Sequence, residues 1–246
     1  MWGYLSLVPI SLALWASAGV WLVFAIAVIN RDVDLTKDFP FISKCGSFPP
    51  QSCIFSQVLN IGAAMVVWIC IVRYYQLRDW GVKTWPNQLI LWSGILCALG
   101  TSVAGNFQEK NQKPTHITGA FFAFVLGNIY FWLQIILCWW VKGLPQPGAP
   151  WMAWLRLGLC SLCTMLMVAM LVLYSSRLRS TSAAFEWAVA MLLFLLFGLF
   201  AVDFSVLEGC TLSLQPLRSL TPRPSASPGL HSLPLASPPT PETLKP

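Results

Sequence analysis

Six long apolar runs constrain this chain more than any other feature of its sequence. The runs are separated by short polar segments and cover the following positions: 7–29, 57–74, 87–104, 116–141, 151–174 and 183–206. An α-helix rises about 1.5 Å per residue, so runs of this length cross all or nearly all of a hydrocarbon core of about 30 Å. The predicted fold is therefore all-α: a polytopic membrane protein that forms a six-transmembrane-helix bundle, with short loops between antiparallel neighbours.

The composition supports a membrane protein and argues against a nucleic-acid partner. Charged residues make up 10% of the 246 positions, whereas they approach a quarter of a soluble domain. The net charge is +6, but the basic residues are scattered over short loops and form no basic helix face. A cleaved signal peptide is the other interpretation of the first run. No basic residue precedes that run and it is longer than a signal peptide's apolar region, so we favour a retained anchor.

The chain divides into a membrane domain, residues 1–211, and a tail, residues 212–246. The tail is rich in Pro and Ser and holds nine of the 18 prolines. Proline removes a backbone donor and favours extended chain, so we expect the tail to be disordered. Cys210, next to the tail, is either a palmitoylation site or an ordinary juxtamembrane thiol.

The polar segment after the first run contains two cysteines that determine the predicted orientation. Cys45 and Cys53 bracket a Gly and a Pro-Pro turn, which is typical of a loop closed by a disulfide. Such a bond persists only in an oxidising compartment, so this loop would lie outside the cytosol and both termini inside it. The positive-inside rule does not decide the matter, because seven basic residues fall on each side when Lys245, far along the tail, is left out.

Small residues at steps of four predict that the third and fourth helices form a close pair. The residues of the two ridges are Ser93, Cys97, Thr101 and Gly105 on the third helix, and Gly119, Ala123 and Gly127 on the fourth. In lipid, helices associate by close packing rather than by the hydrophobic effect, and small residues let their backbones approach. The predicted role is structural.

Three amides and two acids stand out among the polar residues of the apolar runs: Asn60, Asn128, Gln134, Glu186 and Asp203. The three amides either line a polar pathway or hydrogen-bond to a neighbouring helix, and we favour packing. An ionised carboxylate in the middle of a bilayer costs at least about 2.5 kcal/mol. Both acids lie near ends of the sixth helix, where contact with the interface or pairing with a basic neighbour would explain them.

The signatures of an enzyme or a metal site are missing from the sequence. His116 and His231 are the only histidines, and neither has partners at metal-ligand spacing. Cys160 and Cys163 form a Cys-x-x-Cys motif, but it lies in an apolar run without a nearby cation to lower a thiol pKa. We expect no catalytic residue, no cofactor and no metal.

The loop between the third and fourth helices contains the polar residues Asn106, Gln108 and His116, with Phe107 among them. It shares an end of the bundle with the cysteine loop. The amide side chains either hydrogen-bond to that loop's backbone or belong to an ordinary solvated loop, and composition alone does not separate these alternatives.

Several of these motifs together resemble the DRAM family, the damage-regulated autophagy modulators, in its transmembrane protein 150 branch. They are Ile42-Ser43-Lys44-Cys45-Gly46, Pro49-Pro50, Ser52-Cys53-Ile54-Phe55, Gly105-Asn106-Phe107-Gln108, His116 with Gly119-Ala120, and Glu186-Trp187. The resemblance implies six helices with cytosolic termini, in plasma, endosomal, lysosomal or autophagosomal membranes. It implies a non-enzymatic regulator that promotes autophagic flux and cell survival.

The partners expected on this basis are the lipid bilayer and membrane or cytosolic proteins not yet identified. Two other functions remain open from the sequence. Relatives in the superfamily suggest a plasma-membrane scaffold for phosphoinositide kinase machinery, or a channel or transporter subunit. The channel interpretation requires Asn60, Asn128 and Asp203 to face one interior. An enzyme acting on lipid is disfavoured, because no His, Asp or Cys residues cluster into a site.

Overall fold

The computed structural model describes residues 3–207 and contains the six helices that the sequence predicts. Each is long and apolar enough to cross a membrane, and no β-strand occurs within these residues. The helices are α1 (Tyr4–Ile29), α2 (Gln51–Asp79), α3 (Thr84–Asn106), α4 (Lys113–Trp140), α5 (Met152–Ser175) and α6 (Arg179–Phe204). A short helix, Ile42–Cys45, lies in the connection between α1 and α2.

Several helices extend beyond the apolar runs that revealed them. The largest difference is in α2, which spans Gln51–Asp79 where the run covers positions 57–74. The added turns contain polar residues such as Gln51 and Gln76, both of which are buried. Hydropathy measures only the part of a helix that suits lipid, so turns held by polar contacts with neighbouring helices are not detected.

The connections alternate between the two ends of the bundle. We call the end with residues 30–50, 107–112 and 176–178 the loop end. We call the other the terminal end, because α1 begins and α6 finishes there, beside the connections at residues 80–83 and 141–151. Neighbouring helices in sequence are therefore antiparallel, and residues far apart in the chain meet at each end.

Helices α3 and α4 approach each other most closely at two glycines. A Cβ atom added to Gly100 would lie 2.6 Å from the carbonyl oxygen of Gly119 and 2.7 Å from the backbone nitrogen of Ala123. No side chain fits at such distances, so the contact requires glycine. At this point α4 widens into a π-helical segment, Phe122–Leu126, a local distortion that is uncommon in α-helices.

Much of the outer surface is apolar, as expected for a bundle surrounded by lipid. Helix α5 is the most exposed, with Met165, Val168 and Leu171 each more than half accessible. The interior contains a large apolar cluster that extends over most of the bundle and a smaller one at the loop end, where Trp187 packs on Trp21 and Phe24. These clusters position the polar residues described next.

Candidate functional site

A buried ionic cluster at the terminal end is built around Asp203 of α6. Its carboxylate is held between two arginines, Arg73 of α2 and Arg156 of α5. Arg73 Nη1 lies 3.4 Å from Asp203 Oδ1, Arg156 Nη1 donates to the same oxygen at 3.1 Å, and Arg156 Nη2 donates to Oδ2. The side chains of Arg73 and Asp203 are each 2% exposed and that of Arg156 is 22% exposed. The carboxylate therefore joins three helices.

Two glutamines complete this network. Arg73 donates from Nη1 to Gln76 Oε1 at 2.7 Å and from Nε to Gln134 Oε1 at 3.1 Å. Gln76 in turn donates to the backbone carbonyl of Asp203 at 2.6 Å. Arg73 is also stacked against aromatic rings, with its guanidinium carbon 5.3 Å from the Trp80 ring centroid and 5.7 Å from that of Phe200. These contacts provide a buried cation with polar and π partners.

The cluster lines a cavity of about 290 Å³. One wall is polar and consists of Arg73, Gln134, Arg156 and Asp203. The remaining lining includes apolar side chains from α4 and α6 and the proline-rich connection at residues 145–150. Two polar atoms of α4, Gln134 Nε2 and the Tyr130 hydroxyl, are buried next to each other and make no hydrogen bond of ordinary geometry in the described part of the chain.

The sequence counts Arg73 and Arg156 only as basic residues near the cytosolic ends of the second and fifth runs, and it does not reveal that Arg73 is buried and Arg156 mostly so. Asp203 was expected to contact the interface or a basic neighbour, and the structure shows that it pairs with both arginines. A usable signal was present in the sequence. Each of the three residues lies within about two turns of the same end of its helix, so the antiparallel order alone brings them to one level.

At the loop end, the start of α6 holds the connection between α1 and α2. Glu186 Oε2 accepts the backbone N–H of Ile42 at 2.8 Å, which satisfies a free donor at the start of the short helix. Trp187 Nε1 donates to the carbonyl of Pro40 at 3.0 Å, and the backbone N–H of Phe39 donates to Ser180 Oγ at 3.2 Å. The start of α6 therefore holds residues 39–42, the segment just before the two cysteines.

The structure does not contain the predicted disulfide, because Cys45 and Cys53 are both free thiols. Cys45 ends the short helix and is fully buried in the cluster around Trp187, where burial raises its pKa to about 12. Cys53 lies in the first turn of α2 on its exposed side. The two side chains have different environments, and the redox argument for the orientation of the bundle no longer applies.

Asn106 bonds to helices rather than to the backbone of the cysteine loop. It exchanges hydrogen bonds with Asn60 of α2 at 2.9 Å and 3.1 Å, and it accepts a third from Ser56 at 2.7 Å. Gln108 accepts a bond from Asn111 within its own turn. Side chains other than those predicted connect the two loops: Ser43 Oγ donates to Glu109 at 3.2 Å, and Lys110 Nζ lies 4.0 Å from the Phe48 ring centroid.

His116 closes the end of α3 and is buried. Its Nδ1 lies 3.0 Å from the carbonyl oxygen of Ala104 and 2.8 Å from that of Phe107. Carbonyl oxygens only accept hydrogen bonds, so Nδ1 carries the proton. Phe107 itself has a largely exposed side chain. His116 thus has a capping role, and no group of three or more metal-ligating side chains occurs in the described residues.

The ridge on α4 faces α3 over its whole length. Gly119 packs against Gly100 and Ala104, while the thiol of Cys97 donates to the carbonyl of Ala123 at 3.3 Å. A Cβ on Gly127 would lie 3.1 Å from the sulfur of Cys97.

The ridge on α3 is divided between two partners. Its Gly105 faces α2, where an added Cβ would lie 2.8 Å from the Cβ of Leu59. The hydroxyls of Ser93 and Thr101 donate to carbonyls of their own helix. Gly100, which was not among the predicted residues, is the one that meets Gly119.

The three residues that a conducting pathway would require lie in separate places. Asn60 bonds with Asn106 between α2 and α3. Asn128 donates to Thr164 Oγ1 of α5 at 2.8 Å, and Asp203 belongs to the ionic cluster. Cys160 and Cys163 are fully buried in α5. Cys210 and the tail at residues 212–246 lie outside the described residues.

Comparison with known proteins identifies close relatives over most of the chain. The sequence model of the Frag1/DRAM/Sfk1/Cwh43P N-terminal domain matches residues 4–207. The human protein named "Modulator of macroautophagy TMEM150B" is 73% identical over 92% of this chain and 97% of its own length. The Danio rerio protein of that name is 39% identical over 87% of this chain and 91% of its own.

A more distant relative is the mouse protein named "Transmembrane protein 150A". It is 33% identical over 85% of this chain and 88% of its own length. No solved structure matches the chain significantly.

Proposed function

The chain belongs to the Frag1/DRAM/Sfk1/Cwh43P N-terminal domain family, and on that premise we propose that it is a multi-pass membrane regulator of macroautophagy. The observation that carries this proposal is the similarity to a human protein named as a modulator of macroautophagy. The two sequences are 73% identical over 97% of the human protein's length. The six apolar helices agree with action from within a membrane.

The finer proposal is that the protein promotes autophagic flux and cell survival without catalysing a reaction. The human and Danio rerio relatives are named as modulators, which describes regulation rather than a reaction. In the structure, three polar side chains within the helices, Asn60, Asn128 and Asp203, form cross-links to neighbouring helices. Regulation would then act through partners, membrane or cytosolic proteins, that contact the bundle or its loops.

Turnover of a lipidated autophagosome marker in knockout cells tests this function. Cells lacking the protein should accumulate less lipidated marker when lysosomal degradation is inhibited, because fewer autophagosomes form and mature. Re-expression of the wild type should restore the difference. A Gly158→Ala variant should restore it equally, because a Cβ at Gly158 meets nothing within 4 Å. Normal turnover in the knockout, with and without inhibition, would exclude this role.

We also propose that the termini are cytosolic and that the protein resides in plasma, endosomal, lysosomal and autophagosomal membranes. This proposal rests on the family resemblance, since the basic residues are divided almost equally between the two sides, eight against seven with Lys245 of the tail included. Under this orientation the loop end faces the cell exterior or an organelle lumen.

The free thiol of Cys53 reports on this orientation directly. It is exposed at the loop end, so a membrane-impermeant maleimide should label the plasma-membrane pool in intact cells. A Cys53→Ser variant serves as the control and should lose that label. Labelling of Cys53 only after the plasma membrane has been selectively permeabilised would reverse the orientation.

A further inference from the structure

We propose that the cavity of about 290 Å³ at the terminal end binds the phosphate group of an anionic membrane phospholipid, with Arg73 and Arg156 as its cationic contacts. This site goes beyond the proposed function and does not depend on it. The cavity is at the lower end of the size range of small-molecule pockets, about 300–1,000 Å³. It therefore suits part of a headgroup rather than a large ligand.

The charge of the cavity wall favours an anion. The lining contains two guanidinium groups and one carboxylate, and Asp203 is the only acid among the described residues that line it. Arginine remains protonated in proteins, so the wall carries an excess of one positive charge. Buried charge without a counter-charge is costly in an apolar surrounding. A bound anion would neutralise this excess, whereas a second cation would increase it.

The arginines retain donors for such a ligand. The side-chain bonds of Arg73 use its Nε and Nη1, so Nη2 is not committed to them. Gln134 provides a further donor. Arginine can only donate, so the amide oxygen of Gln134 must face Arg73 Nε and the amide nitrogen must be the other atom. That nitrogen makes no hydrogen bond of ordinary geometry among residues 3–207, although it is close to the Tyr130 hydroxyl, and Gln134 lines the cavity.

The depth of the site matches the headgroup region of a bilayer. Helix α2 has 29 residues, or about 43 Å, which exceeds a hydrocarbon core of about 30 Å by several ångströms at each end. Arg73 lies six residues before Asp79, the last residue of α2, or about 9 Å along the helix. The guanidinium groups are therefore near the boundary between hydrocarbon and headgroups, where lipid phosphates are found.

The remaining walls favour a lipid over a free phosphate. Phe131, Ile135 and Leu196 present apolar surface beside the charged wall, which suits the glycerol and upper acyl chains of a lipid. Trp139 also lines the cavity and is 56% exposed, which places part of the lining within reach of surrounding lipid. A zwitterionic headgroup brings its own cation and would gain less from the excess positive charge.

Native mass spectrometry of the full-length, delipidated protein in detergent tests the site. Phosphatidic acid, phosphatidylserine and phosphatidylcholine are titrated separately, and glycerol 3-phosphate in a fourth series serves as the soluble source of the same phosphate chemistry. We expect the two anionic lipids to bind at least about tenfold more tightly than phosphatidylcholine, the scale of one hydrogen bond to a charged group. Equal binding of all three lipids would overturn the proposal. Glycerol 3-phosphate binding as tightly as phosphatidic acid would also overturn it, since the acyl chains would then contribute nothing.

Two variants and a matched control assign the binding to this cavity. Arg156→Gln removes the more exposed cation, and Gln134→Glu keeps an acceptor for Arg73 Nε while cancelling the excess charge, which preserves the folded network. Each variant should bind anionic lipid about tenfold or more weakly than the wild type does. Arg78→Gln should change nothing, because Arg78 is on the same helix end but is exposed and pairs with Asp79. A folded Gln134→Glu protein that binds phosphatidic acid as the wild type does would refute the site. If neither variant folds, Ala153→Phe provides a third test, because it fills the cavity without altering its charge. This variant should lose the preference for anionic lipid, and a retained preference would refute the site.

Discussion

Replacing Asp203 by Asn should destabilise the whole bundle, because it removes the carboxylate that neutralises two arginines. The substitution keeps the shape of the side chain and one carbonyl oxygen that still accepts a hydrogen bond. It leaves Arg73, whose side chain is 2% exposed, as a buried cation without a counter-charge. It also removes the paired contact of Arg156 with both carboxylate oxygens.

The expected cost can be estimated from the burial of the two pairs. Breaking a buried ion pair by removing one partner costs about 3–5 kcal/mol. The side chain of Arg156 is 22% exposed and can turn toward water, so the lower value, about 3 kcal/mol, applies here. For a chain of this size each kcal/mol shifts the midpoint by about 2–4 °C. The Tm of the Asp203→Asn protein should therefore fall by about 6–12 °C.

The measurement is the thermal midpoint of detergent-purified protein, read by loss of the monodisperse size-exclusion peak. Asp79→Asn is the matched control, since Asp79 pairs with Arg78 on the surface at 3.1 Å with both side chains more than half exposed. Exposed pairs contribute at most about 1 kcal/mol, so this Tm should change by no more than about 4 °C.

A double variant separates charge from packing. Adding Arg73→Met to Asp203→Asn removes the unneutralised cation, so part of the lost stability should return. If Asp203→Asn lowers the Tm no more than Asp79→Asn does, the cluster does not stabilise the fold and the reasoning fails. An additive loss in the double variant would show that Arg73 and Asp203 do not interact.

Two further predictions concern the helix contacts and the loop end. Gly100→Ala should lower the Tm by several degrees, because its Cβ would lie 2.6 Å from the carbonyl oxygen of Gly119. Gly158→Ala is the control and should leave the Tm unchanged or raise it, because nothing lies within 4 Å of its Cβ and Ala favours a helix over Gly by about 0.5–1 kcal/mol. Equal Tm values for the two variants would contradict the close α3–α4 contact. In a Cys53→Ser background, Glu186→Ala should expose Cys45 to maleimide, because it removes the hydrogen bond that holds the short helix at Ile42. The Cys53→Ser protein itself should leave Cys45 unlabelled, because burial raises the pKa of that thiol to about 12. Labelling of Cys45 in the Cys53→Ser protein would contradict its burial.

The six spans were predictable from the sequence because lipid selects for apolar length, which hydropathy measures directly. The pairing of α3 with α4 was predictable for a similar reason, since small residues recur on one face. The individual contacts between small residues of the two helices were not predictable. Gly105 continues the ridge of α3 but faces Leu59 of α2, because the helix has neighbours on more than one side.

Contacts between distant residues could not be derived from local pattern. Ile42 and Glu186 are 144 positions apart, and Arg73 and Asp203 are 130 apart. The cysteine spacing shows a second limit of sequence pattern, because it does not reveal the local helical geometry that separates the environments of the two thiols. Two cysteines eight positions apart satisfy the pattern of a closed loop, but a helical turn at Ile42–Cys45 buries one thiol while the first turn of α2 exposes the other.

Helix α6 shows why acidic residues in a membrane span need not indicate conduction. It carries Glu186 near the loop end and Asp203 near the terminal end, 17 residues apart, or about 26 Å along the helix. No residue between them carries a charge. Each carboxylate is satisfied locally, Glu186 by the backbone N–H of Ile42 and Asp203 by two arginines. The apolar length between them is close to the thickness of the hydrocarbon core, so the two acids mark its two boundaries rather than successive steps of a path across it.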